Sequence, residues 1–158
     1  MGKRIQNKND LNSSLVSFMQ GIIKIGASSK GNDFDETVRT LLLKELTGAT
    51  LHLHKQDQPL WDNLEMQCQM FRVPYVPVPS PDRWLEHDEE LACGCGVALH
   101  TPGHTPGSMS FWFADAKLLI AGDTLFRRGV GRTDLWGGDQ ATIVRSIKQR
   151  LYTLDEGA

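Results

Sequence analysis

Leu99-His-Thr-Pro-Gly-His-Thr-Pro-Gly-Ser108 is the most informative stretch of the chain, and two Thr-Pro-Gly units in it flank His104. Proline stiffens the backbone on each side of this histidine, and glycine permits close backbone approach. The imidazole of His104 is therefore expected at a fixed place on a loop that follows a strand. A fixed imidazole at the end of a strand suits a metal ligand. The segment thus predicts that His104 binds a metal ion.

A carboxylate follows the next predicted strand along the chain. Residues 117–121 are predicted to form this strand, and Gly122-Asp123-Thr124 comes directly after it. An aspartate in this position often only caps a turn. A carboxylate beside an imidazole can also hold zinc, iron or manganese, and it can bridge two ions. We therefore interpret His104 and Asp123 as half of a metal site.

The surrounding sequence predicts alternating helices and short strands. A helix is expected over residues 35–47, because apolar residues recur every three or four positions and Gly48 follows. Asp139 is expected to cap a final helix whose cationic residues Arg145, Lys148 and Arg150 face away from the core. The other predictions are a strand at 50–54, a helical segment at 61–70, a proline-rich arm at 73–81, and an antiparallel sheet of strands at 91–95, 97–100, 108–113 and 117–121.

Length and charge exclude several classes of function. The chain has 158 residues and a net charge of −2, from 17 basic and 19 acidic side chains. One domain is expected at this length, and a near-neutral balance does not favour nucleic-acid binding. No apolar run approaches the roughly 20 residues that a membrane span requires. Three cysteines do not suit a disulfide framework, so a cytoplasmic location is predicted.

Three phrases of the sequence together resemble the metallo-β-lactamase superfamily, in its hydroxyacylglutathione hydrolase (glyoxalase II) branch. They are His100-Thr-Pro-Gly-His-Thr-Pro-Gly-Ser108, Leu119-Ile-Ala-Gly-Asp-Thr-Leu-Phe126 and Gly129-Val-Gly-Arg-Thr-Asp-Leu135, and the similarity runs from about Leu41 to Tyr152. The resemblance implies an α+β fold, the metallo-β-lactamase-like αββα sandwich, with a binuclear metal site. It also implies hydrolysis of a thioester by a hydroxide that bridges the metals.

The resemblance assigns roles to individual residues. His104 corresponds to a ligand of the first metal, Asp123 to the bridging ligand and catalytic residue, and Arg132 to a basic residue that meets the glutathione moiety. The family signature His-x-His-x-Asp-His aligns without a gap on Gly31-Asn-Asp-Phe-Asp-Glu36. Asp35 then matches the family aspartate, whereas Gly31, Asp33 and Glu36 replace the histidines. Asp33 and Glu36 are therefore candidate replacement ligands.

The departures from the family affect the expected domain. Residues 1–30 are read as a divergent polar segment and residues 31–158 as a partial metallo-β-lactamase-like domain. The family has several strands before its signature, where this chain has about thirty mostly polar residues. Its last histidine ligand lies beyond the final helix, whereas this chain ends at Ala158. The sandwich is therefore expected to be incomplete. An incomplete sandwich would expose an apolar sheet face or a strand edge, which predicts self-association.

Three functions remain open. The first is a glyoxalase II-like hydrolase of a small-molecule thioester with zinc as the expected metal, or else iron or manganese. The second is a non-catalytic or truncated remnant of the fold with an incomplete metal site. The third is an iron oxygenase of the persulfide dioxygenase type, which uses a triad of two histidines and one aspartate.

Two other patterns are assigned structural roles. His52 and His54 have the spacing of metal ligands but are interpreted as histidines on a sheet surface. Cys93-Gly-Cys95 has no second cysteine pair that would close a zinc site, so it is interpreted as a turn. The charged run at residues 86–90 is expected to be a solvated loop.

Overall fold

The computed structural model describes residues 44–72, 74–92 and 94–154. Residues 44–47 are helical and end at Gly48, whose φ of +69° fits a glycine after a helix. The following elements are strand β1 (His52–His54), helices α1 (Gln58–Asp62) and α2 (Leu64–Phe71), and strands β2 (Arg83–Leu85), β3 (Glu89–Glu90), β4 (Val97–His100), β5 (Met109–Phe113), β6 (Leu118–Ile120), β7 (Leu125–Phe126) and β8 (Gly129–Val130). Helix α3 (Gln140–Ser146) continues into a π-helical turn, Ile147–Leu151.

The centre of the fold is a four-stranded sheet in the order β3-β4-β5-β6 with all neighbours antiparallel. Val97 lies opposite Trp112 and His100 opposite Met109, so β4 and β5 form the longest pairing of the sheet. Strands β1 and β2 pair in parallel as a separate two-stranded sheet. The antiparallel pairing of β3 to β6 confirms the predicted antiparallel sheet, and the mixture of helices and sheets confirms the α+β class.

Alternating side chains give the central sheet two buried faces. On one face, Ala98 and Phe111 pack with Leu85 of β2, and this apolar cluster joins the two sheets. On the other face, Leu99 and Trp112 pack against the final helix through Ile143, Ile147 and Leu151. The sheet is therefore covered by a second sheet on one side and by a helix on the other.

The start of the final helix is fixed by a side-chain cap and a close glycine. The Asp139 carboxylate accepts a hydrogen bond of 2.6 Å from the Thr142 amide, which confirms the predicted cap. Gly103 has a φ of +134°, and a Cβ at this position would overlap the backbone of Ile143. The glycine thus lets the loop after β4 lie directly on α3.

Several local predictions are wrong. Leu91 and Gly94 to Gly96 lie in a turn between β3 and β4 rather than in a strand, because Gly94 has a φ of +62° and the Leu91 amide donates a hydrogen bond to the Gly96 carbonyl across the turn. The charged run at 86–90 includes strand β3, whose half-buried Glu89 pairs with Arg83.

Three further side chains differ from expectation. Arg150 is half-buried rather than outward-facing, because the π-helical turn departs from the 3.6-residue period. By contrast, Gly94 and Cys95 lie in a turn between β3 and β4, as predicted, and Cys95 is disulfide-bonded. His52 and His54 are buried rather than surface histidines, because every residue of β1 is covered.

Other predictions stand within the described ranges. Strands at β4, β5 and β6, helices over much of 58–71 and an extended arm at 74–81 are all confirmed. Residues 31–36, with the candidate ligands Asp33, Asp35 and Glu36, lie outside the described residues, as does the polar segment 1–30. Within the described part, no helix is long and apolar enough to cross a membrane.

Candidate metal centre

His104 lies in the loop that joins β4 to β5. The loop is closed at its base by a 2.7 Å hydrogen bond from the Thr101 amide to the Ser108 carbonyl. Within it, the Ser108 hydroxyl accepts a 3.0 Å hydrogen bond from the Thr105 amide. These bonds fix a short loop that its prolines also stiffen. The position of His104 is therefore set by the loop backbone as well as by contacts of its side chain.

The His104 imidazole is oriented by a main-chain carbonyl. Its Nδ1 lies 2.8 Å from the carbonyl oxygen of Arg132. A carbonyl can only accept, so Nδ1 carries the hydrogen and Nε2 of the neutral ring keeps its lone pair. Metal-binding histidines usually donate such a hydrogen bond from the ring nitrogen that does not bind the metal.

The lone pair of His104 faces the carboxylate of Asp123. Nε2 of His104 and Oδ2 of Asp123 are 3.9 Å apart, and both residues are buried. Metal–nitrogen and metal–oxygen bonds are about 2.0–2.2 Å long, so one ion between the two atoms is compatible with this separation. The donor set of one imidazole and one carboxylate fits zinc, iron or manganese.

These two residues are a partial ligand set. Within residues 44–72, 74–92 and 94–154, no group of three or more histidine, cysteine or acidic side chains is placed to hold a metal ion. A catalytic zinc normally has three protein ligands. The described residues thus supply two candidate ligands, His104 and Asp123.

A hydroxyl network lies directly behind the candidate centre. The buried Thr101 hydroxyl is 2.8 Å from that of Ser110 and 3.3 Å from that of Thr124. Thr124 follows Asp123, so this contact ties the loop after β6 to the end of β4. The network holds the two ligand-bearing loops in register.

Gly131 brings the third loop of the centre close to the other two. A Cβ at position 131 would overlap the carbonyl oxygen of Asp123, and it would lie 3.5 Å from Cβ of His104. The close approach lets the next carbonyl, that of Arg132, reach the His104 ring. The glycine in Gly-Val-Gly-Arg is thus needed for the orientation of the histidine.

Sequence analysis missed a buried carboxylate under the histidine loop. Asp57 accepts hydrogen bonds from the Thr105 hydroxyl at 2.7 Å and from the Gly107 amide at 2.6 Å. Burial raises the pKa of Asp57 against the lowering effect of these two bonds. Asp57 is a positioning residue, because it fixes the loop and not the ion.

The structure also brings His54 against His100. The two rings stack with centroids 4.0 Å apart and an angle of 16° between their planes. Nε2 of His100 is 2.8 Å from the Pro106 carbonyl, which fixes the far side of the histidine loop. Burial, and then the neighbouring His100, lower the pKa of His54 to about 4. Burial also lowers the pKa of His100, so the stacked pair favours the neutral form and supports the loop by packing.

The side chain of Arg132 does not share in the contact that its carbonyl makes with His104. Its guanidinium forms two hydrogen bonds of 2.8 Å with the Asp134 carboxylate and is exposed. This pairing lowers the pKa of Asp134 to about 2. A solvent-exposed, bidentate pair can exchange Asp134 for another carboxylate, so the predicted role of Arg132 in substrate binding stays open.

An apolar cleft adjoins His104. It is small and open to solvent, and it is lined by Leu60, His104, Thr105, Leu135 and Trp136. Phe71 of α2 lies behind the Trp136 ring in an edge-on contact at 5.9 Å between ring centroids. The cleft thus has an aromatic wall supported from the helix behind it.

Comparison with known proteins identifies the same family as the motifs. Residues 40–156 match the family described as the metallo-beta-lactamase superfamily. The chain is similar to a "Probable metallo-hydrolase" of Bacillus subtilis (47% identity, covering 72% of this chain and 56% of that protein). It is also similar to a hydroxyacylglutathione hydrolase of Haemophilus influenzae (37% identity, 65% of this chain and 50% of that protein).

A solved structure extends this similarity to the fold. A protein crystallised in a di-iron-bound form superposes with a TM-score of 0.67 at 32% identity, covering 76% of this chain and 60% of that chain. This similarity confirms the metallo-β-lactamase-like fold that the motifs imply. The chain spans about half the length of the two curated relatives, 56% and 50%.

Proposed function

Because this chain belongs to the metallo-beta-lactamase superfamily, we propose that it acts as a metal-dependent hydrolase of a thioester of the hydroxyacylglutathione type. The observation that carries the proposal is the pairing of His104 Nε2 with the Asp123 carboxylate at 3.9 Å, with His104 Nδ1 bonded to a carbonyl. That separation puts Nε2 and a carboxylate oxygen within reach of one metal ion.

The ligands assigned to the ion are His104 and Asp123, together with Asp35 from the family aspartate position. Asp33 and Glu36 are the candidate replacements for family histidines. The proposal that they complete the set follows from the ligand count, since two protein ligands are fewer than a catalytic zinc usually has. A metal ion bound there would supply hydroxide at neutral pH, because it lowers the pKa of its water to about 7.

The chain's own residues bind and orient the substrate. The exposed guanidinium of Arg132 is suited to an anionic group of the thiol half, which would replace Asp134. The His104 ring stays fixed by the Arg132 carbonyl, and the Asp57 carboxylate keeps the loop in place. The apolar cleft beside His104 excludes water from one side of the reacting carbonyl.

The test combines metal content with thioester hydrolysis on the same purified sample. We expect near-stoichiometric metal and turnover in the wild type, and loss of both in Asp123→Asn and His104→Ala. The exposed Asp115 and His87 supply the matched controls Asp115→Asn and His87→Ala, which should retain metal. Metal content and turnover that persist in both site variants would refute the assignment, and their absence from the wild type would favour the non-catalytic alternative.

The persulfide dioxygenase alternative is tested in parallel. It is retained because the chain also resembles the structure of ETHE1 from Myxococcus xanthus, with a TM-score of 0.52 at 26% identity over 73% of this chain and 43% of that chain. Oxygen consumption with glutathione persulfide, on iron-loaded protein that does not hydrolyse thioesters, would favour it over the hydrolase. The wild type is expected to hydrolyse thioesters without consuming oxygen.

A further inference from the structure

A disulfide lies at the end of β4 that is opposite to the histidine loop. Cys95 is exposed and disulfide-bonded, and it lies in the turn between β3 and β4. The chain has three cysteines, of which Cys68 is a free thiol. Cys93, which stands two positions before Cys95 in the sequence, is therefore the remaining partner.

The backbone closes this turn without help from the disulfide. The Leu91 amide donates a 2.8 Å hydrogen bond to the Gly96 carbonyl, and the Gly94 amide donates a 2.7 Å hydrogen bond to the Leu91 carbonyl. The side chain of Leu91 is anchored in the apolar cluster that contains Ala98 and Phe111. None of these contacts involves a sulfur atom, so reduction of the disulfide leaves them in place.

The disulfide also closes a very short loop. The stabilisation that a disulfide gives a fold grows with the length of the loop that it closes, and cysteines at positions 93 and 95 enclose a single residue. Structural disulfides resist reduction, whereas exposed ones are labile and serve regulation or catalysis. Exposure, a short loop and a turn that closes by its own backbone together indicate a disulfide that exchanges.

We propose that the Cys93–Cys95 disulfide is a thiol-exchange site that takes small thiols, with glutathione as the probe. The thiolate of one glutathione attacks Sγ of the exposed Cys95 and forms an S–S bond with it, while the Cys93–Cys95 bond breaks and Cys93 leaves as a thiolate that takes up a proton. A second glutathione thiolate attacks the glutathione sulfur of this mixed disulfide and releases glutathione disulfide and the Cys95 thiol. The protein thus gains two electrons and two protons, which two glutathione molecules lose.

This site is independent of the proposed hydrolase, because neither step uses a metal ion, His104 or Asp123. The exchange therefore takes place on metal-free protein that hydrolyses no thioester. Failure of either proposal leaves the other unaffected.

The test counts thiols in wild-type protein equilibrated with glutathione buffers of increasing reduced-to-oxidised ratio. Acid quenching, alkylation under denaturing conditions and mass spectrometry give the number of free cysteines. We expect only Cys68 to be alkylated in the oxidised protein and all three cysteines to be alkylated in the reduced protein. Both new thiols should appear in one two-electron step at millimolar glutathione. Urea unfolding should give nearly equal midpoints for the two forms.

Variants identify the sulfur atoms that exchange. Cys93→Ser leaves Cys95 as a thiol, to which glutathione disulfide should attach one glutathionyl group that peptide mass spectrometry locates. Cys68→Ser is the matched control, because it removes a cysteine outside the disulfide and should keep the titration with its midpoint unchanged. Burial raises the pKa of the Cys68 thiol, so Cys68 should react more slowly than Cys95 in the Cys93→Ser protein.

Three results would overturn the proposal. One is a disulfide that persists in excess reduced glutathione until urea unfolds the protein. Another is a large fall of the urea midpoint on reduction, which would make the disulfide structural. The third is loss of the disulfide in Cys68→Ser, which would make Cys68 the partner of Cys95.

Discussion

Replacement of Asp57 by alanine should destabilise the protein more than any substitution on its surface. The carboxylate accepts two short hydrogen bonds, from the Thr105 hydroxyl at 2.7 Å and the Gly107 amide at 2.6 Å. A hydrogen bond to a charged group contributes about 1.5–3 kcal/mol. Asp57→Ala also leaves the buried Gly107 amide without this acceptor, whereas the Thr105 hydroxyl keeps the Ser108 hydroxyl at 2.8 Å as a partner. We therefore expect the free energy of unfolding to fall by about 2–4 kcal/mol. That is a large part of the roughly 5–15 kcal/mol by which a domain is usually stable.

Urea unfolding followed by circular dichroism measures this change on metal-free protein, where metal binding does not add to stability. Asp57→Asn keeps one acceptor oxygen and should lose about half as much. The matched control is Asp62→Ala, a change at an exposed aspartate of the neighbouring helix. An Asp57→Ala protein within about 0.5 kcal/mol of the wild type, the range of ordinary surface changes, would refute the role of Asp57 under the histidine loop.

Three further predictions concern the same loops. Gly131→Ala should weaken metal binding by about 10–100-fold in equilibrium dialysis, because the new Cβ pushes the Arg132 carbonyl away from His104, whereas Gly129→Ala, with open space around it, should not. Gly103→Ala should lower the melting temperature sharply, since its Cβ meets the Ile143 backbone in a left-handed conformation; unchanged melting would contradict the close packing on α3. The pKa of His54 is about 4 in the folded protein against 6.5 as a free side chain. As the pH falls below about 6.5, His54 is therefore protonated in the unfolded state before it is protonated in the folded state. Stability should therefore be full above about pH 6.5 and fall by up to about 3 kcal/mol as the pH drops toward 4; His54→Phe should remove this part of the pH dependence of urea unfolding.

The central sheet and the last helix are predictable from the sequence because their signals are local. Turns that contain glycine, proline or aspartate mark the limits of strands β4 and β5, and the cap at Asp139 marks the start of α3. The turn at Gly94 between β3 and β4 escaped prediction because the neighbouring apolar residues suggest a strand, whereas Gly94 has the positive φ of a turn. The burial of His52 and His54 escaped because a three-residue strand carries no information on whether both of its faces are covered.

In the candidate site too, residues with a local sequence signal were predictable and residues that act through distant contacts were not. His104 and Asp123 are recognisable because both stand in rigid, glycine-containing phrases, and the structure brings them together at 3.9 Å. Asp57 was missed because its partners lie about fifty positions further along the chain, and no local pattern reports such a contact. The carbonyl of Arg132 was missed for a different reason, since every residue has a carbonyl and none is visible in a sequence.

The contact between that carbonyl and His104 has an evolutionary consequence. The ring of the histidine is oriented by the main chain at position 132, while the side chain at that position is exposed and bonded to Asp134. Substitution of the side chain can therefore alter what the protein recognises without changing the orientation of the metal ligand. Positions 132 and 134 are free to diverge together between lineages, whereas Gly131 is not. Relatives that act on different compounds should thus vary at 132 and 134 while they retain the glycine and the histidine.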